Sequence, residues 1–418
     1  MSNNQHIPTG HKPSPLGPIP EDWEVKRLGE VCTFLRTNTL SRNQLNDTDG
    51  KARNIHYGDV LVKYPSIIDA RKQSIPFVNK EDYKESMNDF IENGDIVLAD
   101  TAEDETVGKA CEIANVGSEK ILSGLHTMLI RPQKGLFSPW FLGYQVNSVS
   151  YRKQLNALVQ GIKVCSLGKQ AIANTYFAVP PLPEQHRIVS VLSLWDTAIE
   201  KQTALIENLT LRKRGLMQQL LTGKKRLKGF SGEWKRIKAG EIFKSISVKG
   251  NGSEVLLSAT QEHGVIPRDQ LEGRVTMPTG DTNSFKLVEV GDFVISLRSF
   301  QGGLEYSEHR GIVSPAYTVL KPIVEIDKPF YRYYFKSAEF IGHLAIAVIG
   351  IRDGKQISYD DFCFVKIPYP NIEEQKAISS ILLQADKEIE LANEKLARLQ
   401  EEKRGLMQVL LTGKKRIK

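Results

Sequence analysis

Two triplets carry the residue types of a metal-dependent nuclease site. Glu24-Val25-Lys26 and Glu233-Trp234-Lys235 each place a carboxylate two residues before a lysine. No Pro-Asp dipeptide precedes either triplet, and each triplet lies where a β-strand is expected to begin. We therefore expect both triplets to be structural rather than catalytic.

Other motifs with known chemistry are missing from the chain. No [Asn/Asp]-Pro-Pro-[Tyr/Phe] tetrapeptide, the loop of adenine methyltransferases, occurs. Gly223-Lys224 and Gly413-Lys414 lack the leading glycine of a phosphate-binding loop and are followed by lysine. His126 and His343 stand alone and are expected to be ordinary core or surface histidines. The sequence thus predicts neither catalysis nor a metal site.

Composition limits the class of protein. The 418 residues are 40% hydrophobic, enough for two cores of ordinary size, and the net charge of +7 permits a polyanionic partner without requiring one. No run of eighteen apolar residues and no apolar signal segment occur, so neither a membrane span nor secretion is expected. The cysteines form no C-x-x-C pair, which indicates reduced thiols in a cytoplasmic protein; they are Cys32, Cys111, Cys165 and Cys363.

One long segment occurs twice. Residues 184–228 return at 374–418 without a gap, with 23 of 45 positions identical by direct count. One copy lies mid-chain and the other at the C-terminus, so the chain divides into two halves of the same plan. Each half is a variable block followed by the same predicted helix.

The repeat has the period of a coiled coil. Apolar residues recur at alternating steps of four and three over more than four heptads, a pattern that leaves water only against a partner helix. The two copies are natural partners, although core helices of an ordinary bundle remain an alternative. The predicted interface residues are Ile188, Leu192, Trp195, Ile199, Ile206, Leu209, Leu216, Leu220, Ile378, Leu382, Ile389, Leu396, Leu399, Leu406 and Leu410.

Both predicted helices have marked ends. Glu184 and Glu374 follow proline-containing runs, where a carboxylate favours a helix N-terminus. At the other end, the segments 222–226 and 412–416 place a glycine at the helix terminus with cations behind it. These cations either complement the helix dipole or contact DNA phosphates. Roughly 37 residues between the ends make a helix of ~55 Å.

The two variable blocks are similar to each other but not closely. Each has a Gly-Asp turn before a strand, at Gly94-Asp95 and Gly291-Asp292, and later one amphipathic helix, over 139–159 and 329–348. A loop rich in glycine and cations follows each helix. The aromatic residues at 331–335 either pack in a core or stack on bases. The pattern indicates α+β domains of one fold with different loops.

These features together carry a resemblance to a known family. A block that opens on Trp23-x-Val25-Lys26-Arg27-Leu28-Gly29-Glu30-Val31, a Pro180-x-x-Pro183-Glu184-Gln185 entry to the helix, an L-M-Q-x-L-L-T-G-K exit and the repetition of this order resemble the specificity (S) subunit of a type I restriction-modification enzyme. The resemblance covers nearly the whole chain. It implies an α+β protein with two pseudo-symmetric α/β target recognition domains, joined by two long antiparallel coiled-coil helices.

The resemblance also implies a function and partners. Each recognition domain is expected to read one half of an asymmetric bipartite site in double-stranded DNA, while the helices set the gap and dock two modification (methyltransferase) subunits. S-adenosylmethionine would then bind to the methyltransferase, and ATP and Mg would serve the restriction subunits. The S subunit itself is expected to be non-catalytic and to bind no cofactor. A coiled-coil adaptor protein that does not bind DNA is the alternative.

The resemblance and the repeat together set expected boundaries. We predict a proline-rich arm over 1–20, recognition domains over 21–181 and 229–370, and spacer helices over 182–228 and 371–418. DNA contacts are expected in the polar loops, with the lysines and Arg352 on phosphates, although each of these residues is alternatively a plain solvated loop residue. The candidates are Thr101, Lys163, Lys169, Gln170, Arg298, Ser299, Gln301, Arg352, Lys355 and Gln356.

Overall fold

The computed structural model describes residues 7–84, 86, 89–161, 163–271, 280–297, 299–348 and 357–417. The chain forms two compact units. The first is Met1–Lys201 with Leu396–Lys418, and the second is Gln202–Lys395. Each long helix of the repeat contributes residues to both units, because it begins in one unit and ends in the other.

The first unit is built on two sheets. Its strands are β1 (His11–Lys12), β2 (Ile19–Pro20), β3 (Glu24–Arg27), β4 (Cys32–Leu35), β5 (Leu45–Asn46), β6 (Arg53–Ile55), β7 (Ile67–Asp69), β8 (Phe77–Val78), β9 (Ile96–Ala99), β10 (Thr101–Ala102), β11 (Ala110–Ala114), β12 (Ile121–Ser123), β13 (Thr127–Pro132), β14 (Cys165–Ser166) and β15 (Tyr176–Val179). Its helices are α1 (Leu28–Val31), α2 (Tyr57–Val62), α3 (Phe141–Val146), α4 (Val149–Asn156), α5 (Lys169–Ala173) and the start of α6 (Leu182–Leu220). The sheets have the orders β4-β13-β9-β11-β7 and β12-β6-β8-β5, and β3 pairs with β15.

The second unit has a smaller central sheet of order β17-β24-β21-β22. Its strands are β16 (Lys235–Lys238), β17 (Phe243–Ile246), β18 (Leu257–Thr260), β19 (Gly264–Pro267), β20 (Lys286–Val288), β21 (Phe293–Ile295), β22 (Glu305–Tyr306), β23 (Gly311–Val313), β24 (Thr318–Pro322) and β25 (Lys366–Tyr369). Its helices are α7 (Ala239–Ile242), α8 (Ser299–Gly302), α9 (Lys328–Tyr334), α10 (Ala338–Val348) and α11 (Tyr359–Phe364), and α12 (Ile372–Leu410) begins there. Separate pairs are β16 with β25, β18 with β19 and β20 with β23.

The two Gly-Asp turns lie where the sequence predicts them. Gly94 (φ 90°) precedes β9, and Gly291 (φ 89°) precedes β21, a backbone conformation that side chains disfavour. Each aspartate closes its turn, because Asp95 accepts the backbone N–H of Glu92 at 2.8 Å and Asp292 accepts that of Glu289 at 2.9 Å. The turn therefore leads into a central strand in both units.

The prediction of one amphipathic helix per block is wrong. The first is divided into α3 and α4, and the second into α9 and α10. In both units a serine starts the second helix: the hydroxyl of Ser148 accepts the N–H of Tyr151, and that of Ser337 accepts the N–H of Phe340. A serine in this role competes with helix continuation, which apolar periodicity alone does not detect.

The predicted interface residues lie along α6 and α12, and we call this stripe of each helix the seam. Every predicted interface residue is at least partly buried. In the first unit, Ile188 and Leu192 near the start of α6 cluster with Leu410 at the end of α12. In the second unit, Leu220 at the end of α6 clusters with Ile378 and Leu382 near the start of α12. The start of each helix thus packs on the end of the other, which is an antiparallel coiled coil.

Candidate nucleic-acid interface

The start of α6 is held by a buried cluster of side chains in the first unit. The carboxylate of Glu184 accepts hydrogen bonds from Trp23 Nε1 at 3.0 Å and from both Nε and Nη2 of Arg416 at 2.6 Å. Arg416 also donates to Asp22 at 2.8 Å. The pKa of Arg416 is raised by these carboxylates, so the guanidinium stays charged.

The second unit repeats this cluster at the start of α12. Glu374 accepts hydrogen bonds from Trp234 Nε1 at 3.0 Å and from Arg226 Nε at 2.6 Å. The arginine of each basic segment is therefore bound to the start of the other helix. Lys224 and Lys414 remain exposed, so only the arginines have a structural explanation here.

A second repeated cluster connects the α/β part of each unit to the coiled coil. Tyr144 of α3 donates to Asp196 at 2.5 Å, and Lys403 pairs with the same carboxylate and lies 5.1 Å from the tyrosine ring centre. Burial and Asp196 raise the pKa of Tyr144, which keeps the phenol as a donor.

In the second unit the same roles fall to Tyr333, Asp386 and Lys213. The tyrosine donates to the carboxylate at 2.6 Å, and the lysine lies 5.4 Å from the ring centre. Lys213 and Lys403 continue the four-and-three spacing of the interface residues and so lie on the seam. The ion pairs allow a lysine there, since an unpaired buried charge would be costly.

The Glu-Gln pair at each helix start completes the junction. The side chain of Gln185 accepts the N–H of Ser138 and donates to the carbonyl of Pro180, both at 2.8 Å. Gln375 accepts the N–H of Asp327 at 2.9 Å and donates to the carbonyl of Pro370 at 2.8 Å. Both glutamines are buried, so each helix start is fixed to the α/β part of its unit.

In the first unit the fold brings together two of the predicted DNA-contact segments. Thr101 of β10 pairs with Ser166 of β14, which places the segment containing Lys163 beside Thr101. The threonine hydroxyl donates to Asp100 at 2.8 Å, and Lys163 is exposed. The two segments form one polar edge, although they are separated by about sixty residues in sequence.

Lys169 and Gln170 lie at the start of α5, and both are exposed. The Nζ atom of Lys169 is 5.0 Å from the ring centre of Phe34, and both residues line a groove of about 550 Å³. A cation–π contact of this kind holds the ammonium group at the surface without neutralising it.

His126, which the sequence predicts to be an ordinary core or surface histidine, lies at the polar edge of the first unit. Its Nδ1 atom is 3.3 Å from the hydroxyl of Thr101 and 3.8 Å from Asp100, and its ring packs edge-on against Tyr57. Its φ of 53° is unusual for a residue other than glycine. No local sequence signal predicts this position, because its contacts come from two segments that are distant in sequence, residues 100–101 and Tyr57.

The predicted sites of the second unit fall into three groups. Gln301 is exposed at α8, whereas Ser299 is 1% exposed and its hydroxyl accepts the N–H of Ser296 at 2.8 Å. We therefore remove Ser299 from the candidate contacts, because a hydroxyl bound inside its own turn does not reach a base. The remaining candidates lie outside the described residues; they are Arg298, Arg352, Lys355 and Gln356.

The aromatic cluster of α9 is part of the core. Tyr331, Tyr334 and Phe335 are fully buried, and Tyr331 donates to the carbonyl of Pro368 at 2.9 Å. Core packing is therefore the correct one of the two interpretations, and base stacking by these rings is excluded.

In the nuclease-like triplet Glu24-Val25-Lys26, the side chains of Glu24 and Lys26 form a surface ion pair of 2.7 Å. The hydrogen bond from Lys26 lowers the pKa of Glu24. Among the described residues, no group of three or more histidine, cysteine, aspartate or glutamate side chains is arranged to hold a metal ion. Within the same residues, no helix is long and apolar enough to cross a membrane.

Two pseudo-symmetric α/β domains joined by an antiparallel coiled coil define the class of protein. The model of the type I restriction modification DNA specificity domain family matches residues 20–210 and 231–401. The chain therefore belongs to the specificity (S) subunits of type I restriction-modification enzymes.

Two curated relatives are similar in sequence to this chain over almost its full length. The chain is 26% identical to the putative type I restriction enzyme MjaX specificity subunit of Methanocaldococcus jannaschii, over 97% of both chains. It is also 26% identical to the MjaVIII specificity subunit of the same organism, over 96% of this chain and 94% of that one.

Solved structures share the fold. The S subunit from M. genitalium superposes with a TM-score of 0.51 at 15% identity, covering 93% of this chain and 96% of that chain. A second solved chain comes from a structure that describes complex assembly and conformational transition of the type I R-M system. It superposes with a TM-score of 0.58 at 20% identity, covering 94% of this chain and 99% of that chain.

Proposed function

We propose that this specificity subunit reads an asymmetric bipartite DNA site, one half with each recognition domain, and that its paired helices set the gap between the halves. The observation that carries the proposal is a contrast between the repeated and the variable parts. The Glu–Trp–Arg and Tyr–Asp–Lys clusters recur in both units with the same atoms, whereas the polar loops differ. The repeated clusters hold both domains on the helices in the same way, and the differing loops would let each domain read a different half-site.

Domain exchange tests modular reading. The full chain is co-expressed with its methyltransferase partner, and methylated adenines are mapped by single-molecule sequencing. Replacing residues 23–180 with the equivalent block of another family member should change one half of the methylated site and leave the other half unchanged. A change in both halves would contradict the proposal, and so would the absence of any bipartite motif.

A matched insertion tests the gap. Gln202 and Ala392 occupy equivalent positions, and the Gln202 amide donates to the Ala392 carbonyl at 2.8 Å. Inserting seven residues after both positions preserves the seam and lengthens each helix by ~10 Å. The gap should grow by about three base pairs at ~3.4 Å each. An unchanged gap would show that the helices do not set it.

The proposal places two modification subunits on the outer faces of the helices. Outside the seam, leucines are exposed on both helices: Leu205 (46%) and Leu211 (59%) on α6, and Leu383 (42%) and Leu391 (51%) on α12. Such apolar positions on a charged helix favour a protein partner. Leu211→Asp should weaken assembly with the methyltransferase, and Thr210→Asp, at an exposed neighbouring position, should not. Equal assembly of both variants would count against this face.

The same proposal leaves catalysis to the partners. S-adenosylmethionine would bind to the modification subunits, and ATP and Mg to restriction subunits. Calorimetric titration of the purified chain with S-adenosylmethionine should give no binding, and the assembled complex should bind it. Binding by the chain alone would overturn this division of roles. Failure of the complex to prefer any duplex would favour a non-DNA adaptor instead.

A further inference from the structure

A separate two-stranded ribbon of the second recognition domain carries an exposed polar turn. Strands β18 and β19 pair in register from Leu257↔Pro267 to Thr260↔Gly264, and the turn 261–263 between them is exposed. Leu257 and Val265 are buried in a core cluster, so the base of the ribbon is fixed to the domain. A two-stranded ribbon has the width to enter the major groove of B-DNA.

The groove beside the ribbon is lined mainly by uncharged hydrogen-bonding side chains. Its volume is about 680 Å³, and Gln261 and Gln270 are among its exposed lining residues. Neither side-chain amide is hydrogen-bonded to another of the residues that the structure describes. A glutamine amide both donates and accepts, which matches N7 and the N6 amino group of adenine.

Lys336 holds the ribbon tip against α8. Its Nζ atom donates to the carbonyls of Gln261 at 3.3 Å and Gly302 at 3.0 Å, and to both oxygens of Glu305 at 2.7 Å. A Cβ atom at Gly302 would lie 2.9 Å from the Gln261 side chain, so the two elements are in close contact. The adjacent residue Gln301 is a candidate contact predicted from the sequence, which places the ribbon tip beside it.

We propose that the β18–β19 ribbon is a base-reading element of the second domain. Gln261 and Gln270 each read an adenine edge in the major groove, and Lys336 is a positioning residue that orients Gln261. This inference rests on the proposed function and names the residues that determine one half of the site.

The test uses the full chain assembled with its modification subunits. Competition binding is measured against duplexes in which each base pair of the site is substituted in turn. Gln261→Ala and Gln270→Ala should each bind the parent site roughly tenfold more weakly and lose preference at one A·T pair of the second half-site. Discrimination in the first half-site should not change. Glu325→Ala, at an exposed position of the second domain outside the ribbon and its groove, is the control and should keep the parent pattern.

Two further variants sharpen the test. Gln261→Glu keeps the side-chain shape but removes the donor, so preference at that pair should move from adenine towards cytosine. Lys336→Met should flatten discrimination at the Gln261 pair, and Lys336→Arg should restore it, a rescue that general loss of stability would not produce.

The inference is overturned if both glutamine variants retain the parent discrimination at every pair. It is also overturned if they weaken binding equally for all sequences, since that is the behaviour of a phosphate contact. If the unsubstituted complex prefers no bipartite site, the proposed function fails instead, so the two failures are distinguishable.

Discussion

The two recognition domains differ where the shared frame meets their strands. In the first, Asn147 precedes the serine that starts α4, and its amide donates to the carbonyl of Ala110 at 2.7 Å. In the second, Lys336 takes the equivalent place before Ser337 and binds the carboxylate of Glu305 on β22. The first domain thus uses a neutral hydrogen bond to a backbone carbonyl, and the second uses an ion pair with a carboxylate side chain. The two domains therefore differ at this contact, while the tyrosine–aspartate hydrogen bonds to the helices are the same in both.

The helix-start clusters differ in a smaller way. Arg416 binds Asp22 in addition to Glu184, whereas Arg226 adds backbone carbonyls of the segment 231–232. If the glutamate is removed, Arg416 keeps a carboxylate partner, whereas Arg226 keeps only backbone carbonyls among the described residues. The loss of stability should therefore differ between the two units.

The largest expected effect comes from breaking this cluster. Glu374→Ala leaves Arg226 and the Trp234 N–H without their buried partner and should lower the free energy of unfolding by about 3–5 kcal/mol. Glu184→Ala should cost less, because Arg416 keeps Asp22. Urea denaturation of the full chain measures both, and Glu373→Ala, with an exposed side chain, is the control. Equal losses in the two variants would show that Asp22 contributes nothing.

The two units also differ in a buried carboxylate on a strand, Glu112 in the first and Glu305 in the second. Glu112 of β11 accepts backbone N–H groups, from Trp140 at 2.5 Å and Gly143 at 2.8 Å, and burial raises its pKa to about 7. Burial also raises the pKa of Glu305, but Lys336 opposes this shift. The first domain therefore holds a carboxyl group with a pKa near neutral and with no cationic partner among the residues that the structure describes.

For Glu112 the folded pKa lies above the unfolded value of 4.5, so the folded state binds more protons between pH 4.5 and 7. Its contribution to stability is complete below pH 4.5 and is lost as the pH rises towards 7, by up to about 3 kcal/mol. Relative to the parent, Glu112→Gln should gain stability over this range in denaturation at stepped pH. Glu119→Gln, at an exposed position, should show no such trend. A parallel pH dependence of Glu112→Gln and the parent would contradict the assignment.

The seam lysines give a smaller effect with a predictable order. The side chain of Lys403 is 14% exposed and that of Lys213 is 24% exposed. Lys403→Met and Lys213→Met should each cost about 1 kcal/mol, with the larger loss at Lys403 because its pair with Asp196 is less screened. A double-mutant cycle between Lys213 and Asp386 measures the coupling. Arg214→Met, at an exposed neighbouring position, should be neutral, and zero coupling would assign the lysines a packing role only.

The sequence predicts the parts of this fold that depend on local pattern. The four-and-three spacing identifies the seam, and the glycines at 223 and 413 adopt the left-handed conformation expected at a helix end (φ 70° and 72°). The Gly-Asp turns are equally local. These features require only neighbouring residues, so a single sequence contains the information for them.

The clusters that join domains to helices are not predictable in the same way. Arg416 and Glu184 are 232 positions apart, and Trp23 and Glu184 are 161 apart. The Arg416–Glu184 contact depends on antiparallel packing of the completed helices, and the Trp23–Glu184 contact depends on the fold of the first unit. The candidate site is also only partly predictable from the sequence. Lys169 and Gln301 could be assigned to exposed polar segments from local composition. The burial of Ser299 and the position of the β18–β19 ribbon depend on tertiary contacts.

The smallest effect separates phosphate contact from base reading. Lys169 lies at the first residue of α5 with its ammonium group over Phe34, a position suited to a DNA phosphate. Lys169→Gln should weaken binding of the assembled complex a fewfold for every sequence and reduce the slope of log affinity against log salt by about 1. Lys153→Gln, at an exposed lysine of α4, is the control. Because a phosphate carries no sequence information, loss of preference at a single base pair would reassign Lys169 to base reading and remove its contrast with Gln261.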